Sequence, residues 1–223
     1  MPHIAAFDIG KKNFAFAIEY ITEEEIQELK NSEKETIKKG KKKFQVINPE
    51  KKFEKGKLVL LENIDLTYDC DDSYLDPRVY KNMIKVLDER KEYWNKCDLI
   101  LIEQQMSFGR RKTNTMALKL GQHCYSYFSI VFPEIEVLEF PAYHKTQVLR
   151  APKKFGKIEK TYKNGKTVLI QDNLKKWSTR KAISILSRRQ DSEFLQKLNS
   201  LKKKDDASDC VLMIQAKILL DNQ

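Results

Sequence analysis

The sequence has no long apolar run. Its longest uninterrupted stretch is five residues, Phe14 to Ile18, against the roughly 20 that a membrane-spanning helix requires, so no transmembrane segment is expected. Cysteine is scarce and scattered: Cys70, Cys97, Cys124 and Cys210 lie 27, 27 and 86 residues apart, which fits neither a paired-thiol metal site nor a redox Cys-x-x-Cys motif. They read as reduced, mostly buried thiols. His3, His123 and His144 are equally dispersed. A Cys/His zinc centre is therefore not expected, and any catalytic metal has to be held by carboxylates. Glycine numbers only seven, with no Gly/Ser-rich linker and no internal repeat. A chain of 223 residues suits one sizeable core, since single domains run to ~200–250 residues before splitting. Asp8 falls within the first ten residues and no cationic-then-apolar stretch precedes it, so a cleaved secretory signal is not expected and the mature chain is taken to begin near Met1.

What is abundant is positive charge. Lysine and arginine total 42 against 32 acids, a formal net charge of +10. The excess is not spread evenly: His144 to Arg189 holds 14 Lys plus Arg against only Glu159 and Asp172, a local surplus of +12. A concentration of this kind is an electrostatic footprint for a polyanion, and phosphate backbones are the commonest one. The bland alternative is a lysine-rich solvated face. A second charged tract, Thr22 to Lys57, carries 11 Lys against eight Glu and reads as an insertion with a helix ending near Gly40.

Hydropathy spacing yields an alternation of elements. His3 to Ile9 and Asn13 to Tyr20 read as two strands joined by a tight turn, and Lys57 to Ile64 as a third. A helix is expected from Pro77 toward Trp94, with the acidic segment Asp69 to Asp76 as the loop before it. Asp98 to Glu103 is a nearly continuous apolar strand, as for a strand covered on both faces. Thr113 to Phe132 reads as a helix, Ile135 to Phe140 as a fifth strand ended by Pro141, Thr179 to Leu186 as helical, and the last helix starts near Asp205. This order predicts an α/β fold, a mixed sheet flanked by helices.

Three acidic positions stand where such a scaffold turns toward solvent. Asp8 ends the first strand and Glu103 the central one, and ligands gather outside the carboxyl ends of parallel strands. If those strands are neighbours, the two acids converge. On the final helix Ala207, Cys210, Val211, Ile214 and Ile218 form the core-facing stripe, with Asp206 and Asp209 on a neighbouring face. Asp205 is four residues from Asp209, so either aspartate of the Asp205/Asp206 pair can be the inward one, and both can also serve as helix caps. Clustered carboxylates repel and need a cation. An oxygen-loving divalent ion, Mg²⁺ or Mn²⁺, is the natural one, and two of them can promote phosphodiester cleavage.

Taken in order, these residues resemble the RuvC-type Holliday-junction resolvases of the ribonuclease H-like superfamily, in particular those of poxviruses and related large DNA viruses. AAFDIGKKNFAFAI resembles the family's first strand, turn and second strand, LILIEQQ its central-strand motif, TMALKLGQ the helix that follows in bacterial members, and DDASDCVLMI the closing Asp-x-x-Asp helix. The resemblance implies a mixed five-stranded sheet flanked by helices, with Asp8, Glu103, Asp206 and Asp209 as ligands for a pair of Mg²⁺ or Mn²⁺ ions. It also implies a homodimer that binds a four-way DNA junction and makes paired symmetric nicks, with no membrane partner and no nucleotide cofactor. Basic residues near the scissile phosphate are implied too, for which Lys145 and Lys181 match, Lys181 being favoured.

Phe108, flanked by Arg110, Arg111 and Lys112, matches an aromatic that the resemblance puts at a junction centre, where it can stack on an unpaired base; a buried loop anchor is the equal alternative. Lys153, Lys154, Lys175, Lys176 and Arg180, from the basic stretch, are the further DNA-contacting candidates. The sequence departs from the family at Thr22 to Lys57 and at Ala151 to Lys176; in the second, Asn164-Gly165 signals a two-residue hairpin turn. The viral branch implies an intracellular location at replication sites in host cytoplasm. The mitochondrial matrix is disfavoured, because no arginine-rich transit peptide is seen. Rival readings are a ribonuclease H-type or RNA-processing nuclease and a non-catalytic junction-binding protein. An actin-like ATPase needs a duplicated architecture for which seven glycines leave little room.

Overall fold

Alanine and phenylalanine alternate through the opening of the chain, and because strand side chains point to opposite faces with period two, this alternation makes a sheet with one small-residue face and one aromatic face. In the computed structural model Phe7, Phe14 and Phe16 are all fully buried on one side, and Ala6, Ala15 and Ala17 on the other. The structure describes residues 2–39, 42–47, 55–70, 76–105, 114–161 and 167–222, with backbone alone at 37–39, 42–46 and 160.

The central sheet has five strands in the order β5-β2-β1-β6-β7, namely β1 (His3–Asp8), β2 (Phe14–Tyr20), β5 (Lys57–Ile64), β6 (Leu99–Gln104) and β7 (Glu136–Pro141). β1, β6 and β7 run parallel, whereas β2 is antiparallel to both β1 and β5. This is the mixed five-stranded sheet expected, with helices on both faces. The aromatic face packs under α2 (Pro77–Asp88), α3 (Lys91–Trp94) and α4 (Thr115–Val131). There Phe7 sits within 5.3–5.7 Å, centroid to centroid, of Phe14, Phe16, Trp94 and Phe128. The alanine face is covered by α8 (Asp205–Asp221), backed by α6 (Leu174–Arg188) and α7 (Ser192–Ser200). Small residues let a helix approach closely, and α8 is buried on nearly every side from Asp206 to Leu219.

Five points depart from expectation. The Thr22 to Lys57 tract does not hold one helix ending near Gly40. Instead α1 (Glu23–Lys30) is followed by a separate two-stranded ribbon, β3 (Lys34–Lys39) with β4 (Lys42–Ile47). α1 opens on a capping box, Thr22 accepting from the Glu25 amide while the Glu25 carboxylate accepts from the Thr22 amide, and ends at Asn31, whose amide donates to the Gln27 carbonyl. The helix from Pro77 breaks at Asp88, where Arg90 folds back to the Val86 carbonyl and Trp94 donates to the Leu87 carbonyl. A short helix, α5 (Ala142–Val148), follows β7 directly, and the helix read from Thr179 begins five residues earlier at Leu174. α7 was not anticipated. Among the described residues no helix is long and apolar enough to cross a membrane.

Beneath α8, away from the strand ends that carry Asp8 and Glu103, the small-residue face holds Glu19, which is 1% exposed. Arg189 Nη2 lies 2.7 Å from its Oε1, and Gln215 donates to the same oxygen. Burial raises the Glu19 carboxyl above its ordinary range and Arg189 works against that rise. Removing one partner of a buried pair strands the other charge, so Arg189→Met is expected to cost about 3–5 kcal/mol at neutral pH, read as a lower urea midpoint. The native state then binds the Glu19 proton more tightly than the unfolded state does, so the deficit shrinks as pH falls. An equal deficit at neutral and mildly acid pH would speak against an ionised Glu19.

Candidate active site

β1 and β6 lie side by side in parallel, with Ala6 opposite Leu101 and Phe7 opposite Ile102. One step further along each strand come Asp8 and Glu103. Asp8 shares the parity of Ile4 and Ala6, and Glu103 that of Leu99 and Leu101, so both carboxylates emerge on the α8 face. The turn after Asp8 is tight: a side chain at Gly10 would meet the Asn13 carbonyl oxygen at 2.9 Å.

α8 brings the remaining acids. Its predicted stripe, Ala207, Cys210, Val211, Ile214 and Ile218, is buried against the sheet, and this orients Asp206 and Asp209 toward the ends of β1 and β6. Asp8 is pushed well above the usual carboxylate range, first by burial and then by Glu103, Asp206 and Asp209, with Lys145 opposing. All four acids therefore act on one site. Asp206 is also raised, mainly by burial. Asp205 is turned aside: Lys175 Nζ lies 2.8 Å from its Oδ2, and despite burial the hydrogen bond from Lys175 leaves its carboxyl below the ordinary value.

The cation among these acids is Lys145, carried on α5 immediately after β7. Its side chain is 4% exposed and its Nζ is 2.9 Å from both Glu103 Oε1 and Asp209 Oδ2. Burial works to lower its pKa, but the two carboxylates outweigh that and hold the ammonium above its ordinary value. A second lysine, Lys203, pairs with Asp206 from the preceding turn. The sequence reading missed it, although its place in the run Lys202-Lys203-Lys204 directly before Asp205 was a usable signal.

The donor set is all oxygen, which suits Mg²⁺ or Mn²⁺, and Asp209 Oδ1 is buried with no hydrogen-bond partner among the described residues. Among those residues no three of the acids are drawn into a closed ligand set; Lys145 bridges two of them instead. The residues fit a divalent ion that shares the balancing of charge with this lysine.

The other sequence candidates fall elsewhere. Lys181 lies half-buried on α6, and Lys145 has two carboxylates at hydrogen-bond distance. Arg180 forks onto Asp172 at 3.0 and 2.7 Å, and Lys176 donates to the Gln171 carbonyl. Lys153 and Lys154 are exposed before the ribbon β8 (Lys157–Thr161) and β9 (Thr167–Gln171). Phe108, Arg110, Arg111 and Lys112 lie outside the described residues, as does the Asn164-Gly165 turn.

A mixed β5-β2-β1-β6-β7 sheet crossed on its small-residue side by α8 is the ribonuclease H-like fold seen in solved RuvC-type Holliday-junction resolvases. RuvC from Thermus thermophilus superposes with a TM-score of 0.52 at 14% identity, over 99% of this chain and 97% of that one. Fowlpox virus resolvase, solved with a substrate Holliday junction, gives 0.50 at 18% identity over 97% and 96%. At such identities the likeness speaks for the fold. The chain matches no protein-family model. It belongs to the family of uncharacterized protein 170L of Invertebrate iridescent virus 6, with which it is 33% identical over 239 residues, 96% of this chain and 87% of that protein.

If the acids share a divalent ion, Mg²⁺ or Mn²⁺ at ~100 times its dissociation constant stabilises the fold by about 2.7 kcal/mol, a melting shift of roughly 5–10 °C for a chain of this size. Asp209→Asn is expected to remove most of that shift. Lys145→Met should lower metal-free stability by about 3 kcal/mol and enlarge the metal-induced shift, because the ion then balances the acids alone. Equal shifts in all three proteins would exclude a metal at these residues.

Proposed function

We propose that the protein is a metal-dependent endonuclease that resolves four-way and other branched DNA junctions by paired, symmetric nicks, acting as a homodimer so that two equivalent sites meet the two opposed strands. The observation that carries this reading is the Lys145 ammonium held at 2.9 Å from both Glu103 and Asp209, beside a half-buried Asp8. A cation bound between acids at a strand edge suits a reaction in which negative charge moves onto phosphate oxygens.

In this reading Asp8, Glu103, Asp206 and Asp209 hold one or two Mg²⁺ or Mn²⁺ ions. When bound, those ions supply activation of the attacking water and neutralisation of the phosphodiester. Lys145 positions Glu103 and Asp209 through its two ion pairs, and its ammonium is available to the charge that develops on the phosphate. Lys203 holds the Asp206 carboxylate in place. The basic surface from His144 to Arg189, with Lys153, Lys154, Lys175, Lys176 and Arg180, supplies phosphate contacts that set the register of the DNA without reading its sequence, and Lys181 belongs to the same surface. The kinship with an iridescent virus protein supports a role in viral DNA replication or recombination within the infected cell.

Asp8→Asn and Glu103→Gln should each lower nicking of a four-way junction by more than the ~100-fold typical of disturbing a metal's surroundings. Junction affinity should be retained, since removing an acid does not weaken attraction to a polyanion. Nicking at the wild-type rate by Asp8→Asn would sink the assignment. Preferential cleavage of an RNA/DNA hybrid over the junction would move it to a ribonuclease H-type activity.

A further inference from the structure

The β8–β9 ribbon is not hydrogen-bonded to the central sheet; it forms a two-stranded sheet of its own. Such a hairpin is marginal unless something covers its apolar face. Ile158 and Ile170 are cross-strand partners, both half-buried, and they form one wall of a cleft of about 720 Å³. The opposite wall is cationic. α6 contributes Lys175, Lys176 and Arg180, and the turn into α8 contributes Lys202, Lys203 and Lys204, against Glu159 and Asp205 as the acids that line the cleft.

One contact ties this cleft to the acids of the site, the pairing of Lys203 with Asp206, and a second, Lys175 with Asp205, fixes it to the first residue of α8. The cleft therefore opens beside the carboxylate cluster. Its chemistry is divided: an aliphatic ribbon face on one side, and a surplus of four positive charges over the lining as a whole, six cations against two acids. A small inorganic anion has no use for the aliphatic wall, and an apolar ligand has none for the lysines. A polymer in which apolar sugar faces alternate with phosphates uses both.

We infer that this cleft holds the sugar–phosphate backbone of the DNA strand that continues from the cleaved position, with the β8–β9 ribbon clamped over it. The inference rests on the reading of branched DNA as the substrate and names where one strand lies. Lys202 and Lys204 meet phosphates, and Ile158 and Ile170 pack on the sugars between them. The ribbon is held by its cargo as much as by the protein, which explains why an apolar pair is left facing a charged groove.

The test uses the full-length chain and a fluorescent four-way junction, with affinity followed against salt in the absence of divalent ions. Each phosphate contact contributes ~0.9 to the slope of log affinity against log salt, so joint Lys202→Ala and Lys204→Ala should make the slope shallower by roughly two. Lys202→Arg with Lys204→Arg should retain it. Ile158→Ser with Ile170→Ser should weaken binding severalfold at an unchanged slope. The melting shift with Mg²⁺ should be that of the wild type in all three, which separates a lost contact from a lost fold. A slope unchanged in the alanine pair would overturn the phosphate contacts, and unchanged affinity in the serine pair would overturn the clamp. Should the wild type nick no branched DNA while the alanine pair still loses slope, the nuclease reading falls and the cleft stands.

Discussion

Four carboxylates that share one site cannot all stay ionised without a cation among them, and the architecture is arranged around that requirement. Burial and the neighbouring acids push Asp8 upward, while Lys145 sits at 2.9 Å from Glu103 and Asp209. The lysine is almost fully buried and Asp8, Glu103 and Asp209 are half-buried, which makes the arrangement expensive unless every charge is met. A divalent ion bound at these acids would relieve the same repulsion, and the lysine would set how much of it is left for that ion.

The means of bringing the acids together is packing. A sheet with phenylalanine on one face and alanine on the other has no choice about where its helices go. The aromatic side needs the thick layer formed by α2, α3 and α4, and the alanine side lets α8 lie close. That closeness carries Asp206 and Asp209 to the strand ends where Asp8 and Glu103 emerge. The apolar stripe of α8 is thus a positioning device for the acids beside it, and Cys210 within that stripe lies close enough to Asp8 and Asp209 that, after burial, they are the next causes of its raised thiol pKa.

The basic stretch from His144 to Arg189 is one feature in composition and several in space. Lys145 at its start is buried among acids. Arg180 is paired with Asp172 and steadies the start of α6. Lys175 and Lys176 line a cleft together with Lys202, Lys203 and Lys204, which lie outside the stretch altogether. A local charge surplus is a sound guide to a polyanionic partner, but it does not say which of its lysines meet that partner.

The strands, the core stripe of the last helix and the acids Asp8, Glu103 and Asp209 were legible because each depends on a local period of two or of 3.6 residues, which the chain displays directly. The α1 to β4 segment was misread because helix and strand propensities there are balanced and cross-strand pairing decides. Four matters were decided by tertiary structure: that β1 and β6 are neighbours, that Asp206 faces the acids while Asp205 turns to Lys175, that Lys145 is the lysine between them, and that Lys203 steadies Asp206. Lys145 and Glu103 are 42 residues apart. Whether a given lysine among 42 basic residues ends in solvent or between two carboxylates is a property of distance and burial, and neither is written in the order of residues along the chain.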